Sequence, residues 1–409
     1  MPDFHQPILL PTLHHLAETG LDEREALLEK VSKKKTIALV IPALYAELEQ
    51  KALPRMLKQL AGARYIKRVV FSMNGMDAAK HRKAVRYFAY RLGDIRHSVL
   101  WNDGPGLSVL HQEVDKATGG RHAQGKGSNV WMGIAHLLAA GHRGVIACHD
   151  SDILNYDREM LWRLCLPVAH PDMGYVFAKS YYGRVRERMY GRVTRLLVFP
   201  LLQALRELFG TTPLLSFLAM FRYPLSGEFS ADTTFLSKLG LPSDWGLEIG
   251  MLCDLFRLAP SQKVCQVDLG GNFDHKHQHL GIDPVTGNEN AATGLMRMAR
   301  EVTRTLLARL WDGLGFAAEA TKLQRLPVAY NQTAKTLLKR YRHEALFNHL
   351  NDSSGEESLL VEMFARMIRD VVSDGKIPQT PASWLPSWND IQCLVPDFAA
   401  KLKNAAAEN

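Results

Sequence analysis

Apolar and polar stretches succeed one another in a regular order through the first half of the chain. Thr36-Ile37-Ala38-Leu39-Val40-Ile41-Pro42-Ala43 is an apolar run carrying a proline near its end, which predicts a strand buried on both faces and running into a loop. A helix is predicted over 46–62, a second strand over Arg68–Ser72 with a turn at Asn74-Gly75, a helix over 77–92 and a short strand over Ser98–Trp101. Residues 102–127 are polar and glycine-rich and predict a loop. A helix over 128–140, a strand over Gly144–Cys148, a helix over 157–165 and a strand over Gly174–Lys179 follow. This alternation predicts an α/β fold with a mainly parallel sheet covered by helices on both faces. Ligands in such folds bind at the carboxyl ends of the strands.

Outside that region the pattern is mainly helical. Leu21, Leu28 and Val31 share a helical face, so residues 1–30 are predicted to be a helical lead-in. Helices and loops fill 180–265, with a return strand over Lys263–Val267. Residues 295–311 are strongly helical, and from about 330 onward the chain is helical without recognisable chemistry.

Composition narrows the function. The chain has 409 residues, 46% apolar and 22% charged, as in a globular protein with a large core. Its net charge of +8 suits an anionic partner, but no basic run exceeds Lys33-Lys34-Lys35. Zinc-finger and RNA-binding signatures are missing, which points away from nucleic acid and toward a cleft for small anions. Five scattered cysteines read as free thiols in a reducing cytosol. The amino terminus shows no secretory pattern, and Leu214–Phe221 is too short to cross a bilayer and reads as a buried helix. A cytoplasmic location without membrane contact is therefore expected.

Five motifs can carry chemistry. His149-Asp150-Ser151-Asp152 follows an apolar strand directly. Its paired carboxylates can hold Mg²⁺ or Mn²⁺ against a diphosphate, or can cap the next helix. Gly125-Lys126-Gly127-Ser128 can bring backbone and an ammonium close to phosphate, or can be a plain glycine turn. It is not a P-loop, since Gly127 stands where Ser or Thr is required. Asp274-His275-Lys276-His277-Gln278-His279 offers alternate imidazoles, for a metal and substrate or for a solvated loop. Glu248, between apolar neighbours in Trp245–Gly250, can orient a sugar hydroxyl or close a helix-terminal salt bridge. Arg192 in Gly191-Arg192-Val193-Thr194, preceded by Gly183-Arg184-Val185, can bind phosphate or carboxylate, or be surface charge.

In order, Pro42-Ala43-Leu44, Gly125-Lys126-Gly127, Asp150-Ser151-Asp152, Gly191–Thr194, Gly227-Glu228, Gly246–Gly250 and Asp268-Leu269-Gly270 with His275 resemble the glucosyl-3-phosphoglycerate synthases, over residues 36 to about 280. The resemblance implies a Rossmann-like, GT-A-type glycosyltransferase core with a C-terminal helical extension. It implies retaining transfer of glucose from a nucleoside-diphosphate-glucose to 3-phosphoglycerate with Mg²⁺ or Mn²⁺, by a dimeric enzyme. Carried over by position, Asp152 and His275 are the metal ligands. Pro42, Ala43, Glu47, Ser72, Lys126, Asp150 and Ser151 contact the donor, and Arg192, Thr194 and His277 the acceptor. Glu248, Asp152 and Lys126 are the catalytic set. The implied organisation is a lead-in over 1–35, a nucleotide-sugar-binding core over 36–180, an acceptor-binding region over 181–325 and a helical extension over 326–409. Three departures stand out, the first being Lys276, His277 and Gln278 after the metal histidine, which leaves His277 open as the ligand itself. Tyr45-Ala46-Glu47 replaces the family's Asn-Glu-Glu, and Phe71-Ser72-Met73-Asn74 its Asp-Ser-Gly-Ser. Glycerate, another small hydroxy acid or a different donor sugar stays open, as does a sugar-nucleotide sensor or scaffold without turnover.

Overall fold

A computed structural model describes residues 10–16, 20–122, 124–271, 273–274, 294–314, 320–373 and 383–407. Its strands are β1 (Thr12–Leu13), β2 (Thr36–Leu44), β3 (Ile66–Asn74), β4 (His97–Trp101), β5 (Gly144–Cys148), β6 (Phe177–Tyr181), β7 (Phe229–Asp232), β8 (Leu241–Pro242), β9 (Val264–Asp268) and β10 (Trp384–Leu385). The helices are α1 (Leu21–Ser32), α2 (Ala52–Leu60), α3 (Ala78–Leu92), α4 (Pro105–Thr118), α5 (Lys126–Ala139), α6 (Arg158–Ala169), α7 (Phe199–Phe209) and α8 (Pro213–Met220). They continue with α9 (Thr233–Leu236), α10 (Leu247–Leu258), α11 (Gly294–Leu314), α12 (Ala320–Phe347), α13 (Ser354–Val372), α14 (Trp388–Leu394) and α15 (Phe398–Ala407).

Eight strands form one sheet in the order β1-β9-β6-β7-β5-β2-β3-β4. All neighbours pair in parallel except β7, which runs antiparallel to both β5 and β6. Side chains of β2 show why both faces need cover. Ala38 and Val40 enter the layer of α4, α5 and α10, whereas Ile37, Leu39 and Ile41 enter that of α2, α3 and α6. The first layer continues into α12 and α13 through Leu326, Tyr330, Leu360 and Phe364. The carboxyl-terminal helices thus share one core with the sheet.

Three sequence expectations change. Residues 102–127 are not a loop throughout, because α4 lies within them. Its buried Leu107, Leu110, His111 and Val114 have helical spacing, masked in the sequence by the glycines and proline at its ends. Among the described residues of the lead-in, Leu21–Ser32 are helical, and ahead of them β1 adds an edge strand to β9. The helix over 46–62 is interrupted, with a 3₁₀ turn at Tyr45–Glu49 before α2.

Reversal of β7 shapes the functional edge. Cys148, the last residue of β5, and Lys179, the central residue of β6, both lie opposite Phe229, the first residue of β7. Gly227 and Glu228, just ahead of β7, therefore arrive at the edge where β2, β5 and β6 end. The Leu214–Phe221 stretch forms buried α8, and no helix among the described residues is long and apolar enough to cross a membrane.

Candidate active site

A cavity of about 490 Å³ opens at that edge. Its wall includes Pro42, Ala43, Glu47, Lys126, Asp150, Ser151, Asp152, Arg192, Thr194 and Glu248, all expected from the sequence. The ends of β2 and β5 supply Pro42, Ala43 and the Asp150–Asp152 turn, while α5 and α10 begin there with Lys126 and Glu248.

Lys126 is the node. Its ammonium lies 2.7 Å from Asp150 Oδ1 and 2.9 Å from Glu248 Oε1. Burial works against its charge, but the two carboxylates outweigh it and raise the lysine pKa well above the ordinary value. Glu248 is buried at little cost because it is paired, and because the first turn of α10 favours an anion. Gly227 is packed flat against the node. A Cβ there would stand 2.6 Å from both Lys126 Nζ and Asp150 Cγ.

The glycines around Lys126 also pack against the protein itself. A Cβ on Gly127 would run into the Pro242 carbonyl, and Ser128 N–H donates to the Ser243 carbonyl at 3.0 Å. Their close approach is to the protein's own backbone at β8. Gly125 and Lys126 still line the cleft, and β8 is held in turn by β10.

A second, fully buried lysine lies below the cleft. Lys179 donates to the Ser226 carbonyl, and burial pulls its pKa down to about 8 against the opposing influence of Glu248 and Glu228. Glu228 accepts from the Tyr182 hydroxyl at 2.9 Å and from Ser180 Oγ at 3.4 Å. His149 is fully buried, with its ring edge-on to Tyr156 and its pKa pushed down to about 3 by burial.

Ser72 does not reach the cavity. Strand alternation turns it inward beneath α5, where it accepts from Asn102 Nδ2 at 2.9 Å and is fully buried. Asn74 and Asn129 stand in the wall instead, both bonded to Asn102. Sequence reasoning also passed over Tyr182, Tyr223 and Trp245 as wall residues and left Arg184 without a role. Arg184 is half-buried between Tyr223, Tyr182 and Asp152, which raise its pKa against the burial penalty. Its signal was the repeated Gly-Arg-Val of 183–185 and 191–193.

Asp150 and Asp152 offer hard oxygen donors one residue apart, which fits Mg²⁺ or Mn²⁺. Among the described residues no cluster of three metal-binding side chains forms. His275 and His277 lie outside the described residues. Asp274, the residue before His275, is bonded beside the carboxylate turn. Its carbonyl accepts from Leu154 N–H at 2.8 Å, and its N–H donates to Asn155 Oδ1 at 3.0 Å.

No family model matches the chain. The chain is 31% identical to the glucosyl-3-phosphoglycerate synthase of Persephonella marina over 409 residues, covering 100% of this chain and 99% of the relative. It is 32% identical to that of Methanococcoides burtonii, covering 98% and 97%. Among solved structures, the Mycobacterium tuberculosis glucosyl-3-phosphoglycerate synthase in complex with Mn²⁺, UDP-glucose and phosphoglyceric acid superposes with a TM-score of 0.50. That pair shares 25% identity and covers 73% of this chain and 87% of the other.

Proposed function

This chain belongs to the glucosyl-3-phosphoglycerate synthase family, and we propose how its own residues divide the work of that reaction. The protein is a glycosyltransferase that moves glucose from UDP-glucose to 3-phosphoglycerate. The observation that carries the assignment of roles is the single cavity in which Lys126, bridging Asp150 and Glu248, shares a wall with Asp152, Arg192 and Thr194.

Pro42, Ala43, Glu47 and Ser151 shape the donor side. Asp152, supported by Asp150 and joined by His275, would hold Mg²⁺ or Mn²⁺. When bound, the cation offsets negative charge on the diphosphate. Lys126, kept fully charged by its two carboxylates, faces the same anion. Glu248, fixed by Lys126, orients the glucose. Arg192 and Thr194 hold the acceptor's anionic end, converting a bimolecular encounter into a positioned one.

The transfer is retaining and proceeds on one face. The bond from the anomeric carbon to the diphosphate oxygen breaks, a bond to the acceptor hydroxyl forms, and the hydroxyl proton passes to the leaving phosphate oxygen. Two arginines in the wall, Arg184 and Arg192, favour an acceptor with both phosphate and carboxylate over uncharged or singly charged ones. A cytoplasmic homodimer is part of the same proposal, supported by the family resemblance and tested by light scattering in solution.

An activity matrix tests the reading: UDP- and GDP-glucose against 3-phosphoglycerate and glycerate, each with Mg²⁺, Mn²⁺ or chelator. Turnover is expected with UDP-glucose and 3-phosphoglycerate, and to be lost with chelator. Equal turnover with glycerate would overturn the acceptor assignment.

A further inference from the structure

Arg192 and Thr194 stand at the start of a long helical stretch, which runs from Arg192 through a π-helical turn at Thr194–Val198 into α7. Ahead of it lies a small hairpin, closed by the Val185–Met189 bridge and by Tyr190 N–H donating to the Arg184 carbonyl at 2.8 Å. Gly191 at the junction takes φ +72°, a left-handed conformation suited to glycine. The angle between hairpin and helix at this junction needs an anchor if Arg192, the first helical residue, is to point one way.

Arg195 is that anchor. Its guanidinium donates to the carbonyls of Tyr190 at 2.8 Å and Met189 at 3.0 Å. It also donates to Glu357 Oε1 at 2.6 Å and lies 4.7 Å over the Tyr341 ring. Its backbone N–H donates to the Gly191 carbonyl at 3.0 Å. Glu357 and Tyr341 come from α13 and α12, in the part of the chain where the sequence showed no chemistry. The Arg195 and Glu357 side chains are only 11% and 7% exposed, so solvent screens the pair little. The neighbouring Arg188–Glu356 pair, whose carboxylate is 68% exposed, is screened and holds the hairpin weakly.

We propose that Glu357 is a positioning residue for the acceptor: by fixing the Arg195 guanidinium it holds the two carbonyls ahead of Gly191, and so aims Arg192 and Thr194 at the acceptor anion. The inference rests on the reading that those two residues contact the acceptor. Arg195 spends its donors on consecutive carbonyls of the acceptor segment, so releasing it moves that segment while the Lys126 node, on other elements, keeps its place.

Steady-state kinetics with each substrate varied separately test this on the full-length enzyme with Mn²⁺. Glu357→Gln is expected to raise KM for 3-phosphoglycerate about tenfold or more, since small displacements of positioning groups are costly, with KM for UDP-glucose within twofold of the parent. Glu357→Asp, which keeps the charge and retracts it by one methylene, should show the same acceptor-selective defect in smaller degree, and serves if the amide variant does not fold. In an Arg192→Ala background, Glu357→Gln should add less than twofold to the acceptor KM. A merely structural role would lower kcat and thermal stability and leave both KM values alone, and that result overturns the proposal. Arg192→Ala with an unchanged acceptor KM would instead overturn the acceptor assignment on which the proposal rests.

Discussion

Gly227→Ala is the sharpest probe of the cleft. The added methyl would sit 2.6 Å from Lys126 Nζ and from Asp150 Cγ, close to 1 Å inside ordinary contact. The Gly227 backbone needs no left-handed conformation, so alanine introduces no strain there beyond this clash. One or both charged groups must withdraw, by about 1 Å. Overpacking of this kind costs roughly 1–3 kcal/mol of stability, which a protein of this size survives. A 1 Å misplacement of reacting groups costs about 100-fold in rate. The expectation is therefore a folded enzyme with kcat down about 100-fold at saturating substrates, measured by UDP release. The melting temperature should fall by only a few degrees. A kcat within threefold of the parent would show that the Lys126–Asp150 contact does not govern turnover.

Lys126→Met should lower kcat by about 10²–10³, the usual worth of a group stabilising transition-state charge; an acceptor-only KM effect would refute the donor-side role. Arg309→Met leaves Asp254, its partner at 2.5 Å, buried without its cation. Chemical denaturation should then show a loss of about 3–5 kcal/mol, and a loss under 1 kcal/mol would refute the buried-pair account. Burial holds His111 and His136 down to about 4 from an ordinary 6.5. Between those values the unfolded chain binds protons the folded one refuses, so stability is full above pH 6.5 and lost as pH falls toward 4. Each histidine should account for ~2 kcal/mol of loss between pH 7 and 5. His136→Gln should remove its own share, and an unchanged pH dependence would contradict the assignment.

The α/β alternation was legible because buried parallel strands leave long apolar runs, as in Thr36–Ala43. The cleft residues were legible because charged or glycine-rich motifs followed those strands. Strand β7 was not. Four residues set their direction by pairing with β5 and β6, and no local pattern records that. Helix α4 carried its periodicity but began at Gly104-Pro105-Gly106 and ended at Gly119-Gly120, and those breakers read as loop. The Gly-Lys-Gly motif marked a lysine that lines the cleft, while its Gly127 makes room for Pro242, a contact the sequence does not record. Glu357 lies 162 residues from Arg195, and pairing at that distance is a product of the tertiary fold.

Asp152 and the acceptor arginine must serve one reaction. NMR of the product formed from UDP-glucose and 3-phosphoglycerate with Mn²⁺, by the parent and by Asp152→Asn at equal concentration, tests this most directly. An α-linked glucosyl phosphoglycerate is expected from the parent, with at least a hundredfold slower formation by the variant. A β-linked product, or equal rates from the two proteins, would contradict it.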